Sequence, residues 1–125
     1  MSPMQTILDF IDAWNDNDMD RVHEFMAEDI FYHNVPMEPI VGRTAAREFA
    51  DAFGVGSKMK ADWQLVSIAE NGEHVLTERI DSFTNPEGKK ISVPLMGSFR
   101  VRNGLITEWR DYFDLPTFER QLAAL

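Results

Sequence analysis

The chain has 125 residues, 44% of them hydrophobic, which is enough for one domain spanning residues 1–125 with its own core and too few for two domains. Its 12 Lys and Arg residues are outnumbered by 21 Asp and Glu residues, and the formal net charge of -9 repels phosphate backbones and anionic membrane surfaces, so we expect no nucleic-acid or membrane partner. The sequence contains no cysteine, which excludes disulfides, thiol catalysis and thiolate metal sites.

Three helices and a short strand are predicted for the first half of the chain. Apolar side chains recur at helical spacing over residues 4–14 and again over residues 19–26. Residues 30–35 (IFYHNV) have strand character and stop before Pro36. A third helix is predicted over residues 44–53.

The second half of the chain is predicted to form a meander of four strands followed by a short helix. The strands are residues 63–69, 74–83, 91–101 and 105–114, and the helix is residues 116–125. Asn71-Gly72 and Asn103-Gly104 each separate two strand-like runs, which is the strongest local signal of a hairpin. The Asn-Pro-Glu-Gly turn at residues 85–88 predicts a third hairpin between them.

Helices followed by an antiparallel meander predict an α+β domain, with the helices packed on one face of a curved sheet. A sheet of this kind can bend around a pocket that lies between itself and the helices. Pro94 and Gly97 interrupt the strand at residues 91–101 and favour an edge, a bend or a bulge at that place.

Two charged residues fall on what the pattern predicts to be an inward face. Because side chains alternate between the two faces of a strand, Arg79 and Asp81 lie on the same side as Val75 and Phe83. Burying charge is costly unless the charges are paired or used in chemistry. The pair is therefore either a structural ion pair or part of a functional site.

Two other predicted strands carry polar groups in the same way. Tyr32 and Asn34 share one face of their strand, and Asp111 lies between Trp109 and Phe113 on its own. Two carboxylates, an arginine, a phenol and a carboxamide in one apolar pocket have the composition of an acid/base site. The alternative is that the polar groups are unrelated and only satisfy local charges and backbone groups.

No other kind of site is predicted. His23, His33 and His74 lie on different elements and none is spaced to share a metal with another, so no metal is expected. Gly54 and Gly56 lack the third glycine of a dinucleotide fingerprint, and no cofactor is expected. No segment approaches the roughly 18 apolar residues of a membrane span, and the first residues do not read as a secretion signal, so we expect a cytoplasmic protein.

Three segments carry a resemblance to a known family. YHNVP (32–36), TERID (77–81) and WRDYFDL (109–115) resemble, in order and in spacing, the signature segments of the limonene-1,2-epoxide hydrolases. That family belongs to a superfamily that also contains ketosteroid isomerases, polyketide cyclases and nuclear transport factor 2. The resemblance implies a cone-shaped fold with a curved, mixed or antiparallel sheet, and, by analogy, a homodimer.

The resemblance also implies roles for the five polar residues. Asp111, Tyr32 and Asn34 would hold and activate a water molecule, Asp81 would protonate the epoxide oxygen, and Arg79 would bridge the two aspartates. The expected substrate is a small, mostly apolar epoxide, and the expected product is a vicinal diol. No cofactor is implied.

Apolar residues near the polar groups are expected to contact the substrate. Some lie beside the polar residues on their strands, others alternate along the strand at residues 91–101, and two belong to the apolar stripe of the first helix. The candidates are Trp109, Phe83, Phe113, Val93, Leu95, Ile11 and Trp14. Each of those on the helix and on the 91–101 strand could instead belong to the core.

Two other functions stay open at this point. An isomerase or cyclase of the same fold would move a proton beside a carbonyl group, but it has little use for an arginine that bridges two carboxylates. A non-catalytic module would only bind a small ligand within the cone.

Overall fold

The computed structural model describes residues 1–125 and shows an α+β fold of four helices and six strands. The helices are α1 (Pro3–Asn15), α2 (Met19–Glu24), α3 (Arg43–Phe53) and α4 (Leu115–Ala123). The strands are β1 (Met26–Asn34), β2 (Ile40–Val41), β3 (Lys60–Asn71), β4 (His74–Thr84), β5 (Lys90–Arg102) and β6 (Leu105–Tyr112). The predicted fold class is confirmed. None of the four helices has the length and apolar character that crossing a membrane requires.

The structure differs from the sequence prediction around β1. The second helix was expected to reach Met26, whereas α2 ends at Glu24 and Met26 already opens β1. The two-residue strand β2, which pairs with β1, was not expected. The spacing of apolar residues correctly predicts that Met26 is buried, and it is 1% exposed. The spacing does not predict the residue at which the helix ends and the strand begins.

All six strands form one sheet in the order β2-β1-β6-β5-β4-β3. Strands β3 to β6 are antiparallel neighbours joined by the three predicted hairpins. At the last hairpin Asn103 and Gly104 have φ angles of 52° and 75°, the left-handed geometry that a tight two-residue turn requires. These hairpins place the inward faces of β4, β5 and β6 side by side.

Strand β1 joins the sheet in parallel with β6, a pairing between residues far apart in the sequence. Tyr32 lies opposite Trp109, and Asn34 lies opposite Asp111. This one register brings together the polar groups of the two strands.

The helices cover the inner face of the sheet. Ser2 caps α1 by accepting from the backbone N–H of Gln5 at 3.0 Å, and Pro3 occupies the first turn. The ring of Phe10, fully buried on α1, packs edge-on against Trp109 with ring centroids 5.3 Å apart. Aromatic packing of this kind joins the helical layer to the sheet.

Pro94 lies at a local edge of the sheet, as its sequence position favours. Pairing of β5 with β6 begins only at Met96, so the preceding part of β5 has a free side. There the side chain of Gln121 on α4 bonds the backbone N–H and C=O of Ser92, at 2.7 and 2.9 Å. Backbone N–H groups point to the same side of a strand at every second residue. The N–H that Pro94 lacks would therefore point, like that of Ser92, to the free side of β5, where no strand pairing is lost.

Candidate active site

Arg79 is the centre of a polar cluster on the inner face of the sheet. Its Nε and Nη2 donate to the two carboxylate oxygens of Asp81 at 3.1 and 2.8 Å. The same Nη2 donates to Asp111 Oδ2 at 3.1 Å, and Nη1 donates to the hydroxyl of Thr77 at 3.0 Å. One guanidinium therefore holds two carboxylates from different strands.

The cluster is removed from solvent. Arg79, Asp81 and Asp111 are 0%, 5% and 3% exposed. The guanidinium carbon also lies 4.2 Å from the ring centroid of Trp63, a cation–π contact that partly replaces lost hydration. Removing one partner of a buried ion pair strongly destabilises a protein, so the burial of each of these three charged groups depends on the other two.

Gly97 makes room for this unit, and the sequence analysis did not assign it to the site. It lies on β5 between Thr77 on β4 and Asp111 on β6. A Cβ at this position would lie 2.7 Å from Asp111 Oδ1 and 2.9 Å from the Thr77 hydroxyl, and it would also collide with the Arg79 guanidinium. A glycine inside a strand can mark such a close approach, which is the signal that could have identified it.

Asp111 is held on its other side by an indole. Trp109 Nε1 donates to Asp111 Oδ1 at 2.9 Å, so each carboxylate oxygen accepts one hydrogen bond from the protein. The Trp109 ring stacks on Tyr32 with centroids 4.1 Å apart. This stacking orients the phenol and the carboxylate on neighbouring strands.

Burial and neighbouring charges shift the pKa values of several side chains in the cluster away from their usual values. Burial, with a smaller contribution from the charge of Asp111, raises the pKa of Asp81 to about 6, although Arg79 opposes the shift. Burial and the charge of Asp111 also raise the pKa of the Tyr32 phenol. Burial acts to lower the pKa of Arg79, but the charges of Asp111 and Asp81 outweigh it and the pKa is raised. Asp81 can therefore hold a proton close to neutral pH beside a permanent cation.

A cavity of about 340 Å³ opens next to the cluster, and 18 of its 22 lining residues are hydrophobic. Four of the five predicted polar residues line it, as do six of the seven predicted apolar contacts. They are Tyr32, Asn34, Asp81, Asp111, Trp14, Phe83, Val93, Leu95, Trp109 and Phe113. Arg79 is not part of the wall and lies behind the two carboxylates, where it is fully buried.

Ile11 was predicted to contact the substrate, and the structure corrects this prediction. It is 4% exposed and belongs to the hydrophobic core, and it does not line the cavity. The apolar stripe of α1 packs on the sheet along most of its length, and Trp14, one turn further on, is the α1 residue that reaches the cavity.

Several residues of the wall were not expected. Phe118 and Leu122, one helical turn apart on α4, line the cavity, and their spacing was a usable signal. The other lining residues that the sequence analysis did not assign to the pocket are His23, Met26, Met37, Ala46, Phe49, Ala50, Ala52, Phe53, Val55 and Trp63. The chain brings no group of three or more potential metal-binding side chains together.

Comparisons with known proteins identify the family of the chain. A family model described as the limonene-1,2-epoxide hydrolase catalytic domain matches residues 1–123. Epoxide hydrolase EphG of Mycobacterium tuberculosis (strain ATCC 25618 / H37Rv) is 34% identical over 108 residues, which cover 85% of this chain and 69% of that protein.

Solved structures show the same fold. An LEH-like epoxide hydrolase of M. tuberculosis matches with a TM-score of 0.84 at 26% identity, over 98% of this chain and 90% of that one. A protein from Xanthomonas campestris pv. campestris, proposed to be a polyketide cyclase, matches with a TM-score of 0.78 at 24% identity over 96% of each chain. The second likeness shows the fold alone. The chain belongs to the limonene-1,2-epoxide hydrolase family.

Proposed function

We propose that the protein hydrolyses a small, mostly apolar epoxide to a vicinal diol in a single step. The observation that carries the proposal is the pair of buried carboxylates, Asp81 and Asp111, which one arginine holds at the wall of an apolar cavity. Opening an epoxide with water requires a proton at the ring oxygen and a base for the water, and two carboxyl groups in different protonation states supply both.

Asp81 is the acid. Its raised pKa of about 6 leaves a useful fraction protonated near neutral pH, so its proton can move to the epoxide oxygen as the carbon–oxygen bond breaks. Arg79 contacts both of its oxygens and stabilises the carboxylate that this transfer creates.

Asp111, Tyr32 and Asn34 hold the attacking water. Trp109 and Arg79 each donate to one oxygen of Asp111, and a carboxylate has further lone pairs to accept from water. As the water oxygen bonds to the epoxide carbon, its proton moves to Asp111. Protonated Asp111 and ionised Asp81 then exchange one proton to restore the starting state, while Arg79 keeps the pair at a single negative charge.

The cavity sets the class of substrate. Its volume of about 340 Å³ is at the lower end of the roughly 300–1,000 Å³ of small-molecule sites. Its wall is mainly hydrophobic, and the chain's formal charge of -9 does not attract anions. A neutral, compact epoxide suits both properties.

Product analysis with a panel of epoxides tests the proposal. The purified protein should convert small apolar epoxides to diols, and a single turnover in ¹⁸O-labelled water should place the label in the diol. Label that first appears on an aspartate would indicate a covalent ester and contradict direct attack by water. Enolisable ketones are the counter-test: proton exchange beside the carbonyl without any diol formation would favour an isomerase instead.

We also propose a homodimer that forms through the outer face of the sheet. Val66, Leu76, Met96 and Tyr112 are 51%, 48%, 52% and 50% exposed there, and Met96 lies directly opposite Tyr112. Light scattering should give twice the 14.4 kDa chain mass, and Met96→Lys should shift the protein to the monomer. A wild-type protein that is monomeric at every concentration would contradict the dimer. The cytoplasmic location stays a prediction.

A further inference from the structure

Thr77 is a polar residue of β4 that contacts Arg79 but does not reach the cavity. It is 1% exposed, and it is not among the residues that line the cavity. The reaction proposed above does not use it. A buried hydroxyl group requires hydrogen-bond partners, and the partners of Thr77 connect the charged cluster to the neighbouring strand.

The two hydrogen bonds of the Thr77 hydroxyl have fixed directions. A carbonyl oxygen only accepts, so the hydroxyl donates its single proton to the backbone oxygen of Gly97 at 3.3 Å. Arginine only donates, so Nη1 of Arg79 gives a hydrogen bond to the hydroxyl oxygen at 3.0 Å. The hydroxyl therefore ties the guanidinium to the backbone of β5.

The other nitrogens of the guanidinium are bound to the carboxylates. Nε and Nη2 donate to Asp81, and Nη2 also donates to Asp111. Thr77 is thus the one acceptor of Nη1 and the one neutral side chain that accepts from Arg79. Because Nη2 is shared between carboxylates on different strands, a small rotation of the guanidinium within its plane would lengthen one of these bonds. The hydrogen bond at Nη1 opposes that rotation.

Three polar atoms border the space that Gly97 leaves by having no side chain. They are Nη1 of Arg79, the hydroxyl oxygen of Thr77 and Oδ1 of Asp111, and the last two lie 2.9 and 2.7 Å from the position that a Cβ would occupy. Without the hydroxyl, Nη1 would be a buried donor without a partner, which is costly. Oδ1 of Asp111 is the acceptor beside it. The Thr77 hydroxyl therefore keeps Nη1 from turning to Asp111.

We propose, on the basis of the epoxide hydrolysis proposed above, that Thr77 is a positioning residue whose hydroxyl holds the guanidinium of Arg79 at the angle in which Nη2 serves both carboxylates. Arg79 then gives two hydrogen bonds to Asp81, the proposed acid, and one to Asp111, the proposed base. A second hydrogen bond from Arg79 would stabilise the ionised form of Asp111 and make it a weaker base for water. The hydroxyl thereby maintains the different roles of the two aspartates.

Two variants separate the hydroxyl of Thr77 from the rest of its side chain. Thr77→Val keeps the shape of threonine but has a methyl group in place of the hydroxyl, whereas Thr77→Ser keeps the hydroxyl and loses the methyl group. If Thr77 only packs, serine is the more harmful change, and if its hydroxyl positions Arg79, valine is. Thr107→Val is the matched control, because the Thr107 hydroxyl also donates to a backbone carbonyl, that of Arg100, at 3.3 Å. Thr107 makes no hydrogen bond with Arg79.

Steady-state kinetics with a small apolar epoxide is the first measurement. Because Thr77 does not line the cavity, we expect Thr77→Val to lower kcat by about tenfold and to leave KM within about twofold of wild type. Thr77→Ser should recover most of kcat, and Thr107→Val should keep it. A hydroxyl with a structural role alone would lower the urea midpoint of Thr77→Val but not the kcat of the folded enzyme. A wild-type kcat in Thr77→Val, or a serine variant as slow as the valine variant, would overturn the inference.

NMR of the arginine side chains distinguishes a failure of this inference from a failure of the proposed function. Arg79 is the only buried arginine of the chain, so its Nη–H signals should exchange slowly with water and be resolved from one another. We expect nuclear Overhauser contacts between the Nη1 hydrogens and Thr77 in wild type.

Thr77→Val should broaden or merge the Nη signals of Arg79, and Thr77→Ser should preserve them. If this is observed but no epoxide is hydrolysed, the contact between Thr77 and Arg79 stands and the hydrolase proposal falls. Nη signals in Thr77→Val that are identical to those of wild type would overturn the inference whatever the reaction is. If Thr77→Val does not fold, the wild-type spectrum decides, and a freely rotating guanidinium or one without contact to Thr77 overturns the inference.

Discussion

The inner face and the hairpin edge of one sheet each carry an arginine–carboxylate network. On the inner face, Arg79 joins Asp81 and Asp111 with side chains that are 0%, 7% and 5% exposed. Toward solvent, Arg100 bonds Glu108 at 3.2 Å, and these side chains are 34% and 30% exposed. The two networks use the same chemical groups at similar distances.

Their titration behaviour is opposite. Hydrogen bonds from Arg110 and Arg100 lower the pKa of Glu108, as expected for a carboxylate that is paired in contact with water. Burial raises the pKa of Asp81 to about 6 although Arg79 donates to both of its carboxylate oxygens. At Asp81 burial therefore outweighs the pairing with arginine, and its carboxyl group can hold a proton near neutral pH.

The largest effect is expected from neutralising the inner carboxylates. Asp81→Asn removes the proposed acid and Asp111→Asn removes the proposed base, and each should lower kcat by about 100-fold or more. The matched control is Glu108→Gln on the exposed network, which should keep turnover within about twofold. Circular dichroism verifies the fold. A variant of either aspartate that keeps a tenth of wild-type activity would remove that residue from its role.

Removing the arginines should affect stability unequally. Arg79→Gln leaves two buried carboxylates without their cation and should lower the free energy of unfolding by about 3–5 kcal/mol. Arg100→Gln removes an exposed partner and should cost about 1 kcal/mol or less. Urea denaturation at neutral pH measures both. Equal losses would mean that the two networks do not differ in the way burial implies.

Gly97→Ala tests the space that the inner network requires. The added methyl group meets Asp111, Thr77 and Arg79, so we expect the network to shift and kcat to fall by about tenfold or more. Ser98→Ala, at the next position and on the opposite face, should have little effect. A Gly97→Ala enzyme with wild-type kcat would show that the network tolerates displacement.

The raised pKa of Asp81 also predicts a dependence on pH. Its pKa is about 6 in the folded chain and about 3.9 in an unfolded one, so the folded state binds the proton more tightly. Its contribution to stability is full below pH 4 and is lost as the pH rises through 6, by about 3 kcal/mol in all. Relative to Asp81→Asn, wild type should therefore lose stability over this range, and its kcat should fall above pH 6. If the stability of wild type instead rises relative to that of Asp81→Asn over this range, the prediction is contradicted.

Local patterns explain how much of the site could be predicted. The alternation of side chains along a strand predicted that Arg79 lies beside Asp81 and that Tyr32 lies beside Asn34. This prediction needs only the local sequence, because the direction of a side chain is set by its own strand. The parallel pairing that sets Asn34 opposite Asp111 joins distant segments, and no local signal reports it.

Packing explains what the sequence analysis missed. Ile11 and Trp14 belong to the same apolar stripe of α1, yet Ile11 lies in the core and Trp14 lines the cavity. The cavity contact of Phe118 depends on where α4 packs on the sheet, and the role of Gly97 depends on side chains of both neighbouring strands. Both are properties of the assembled fold.

The proposed reaction requires Asp81 to keep its proton to a higher pH than an ordinary aspartate. Its side-chain carboxyl carbon can be followed directly by NMR of protein with ¹³C-labelled aspartate, with Asp81→Asn to assign the signal. We expect a titration midpoint for Asp81 near 6. An Asp81 signal that is fully ionised by about pH 5, as for an exposed aspartate, would contradict it.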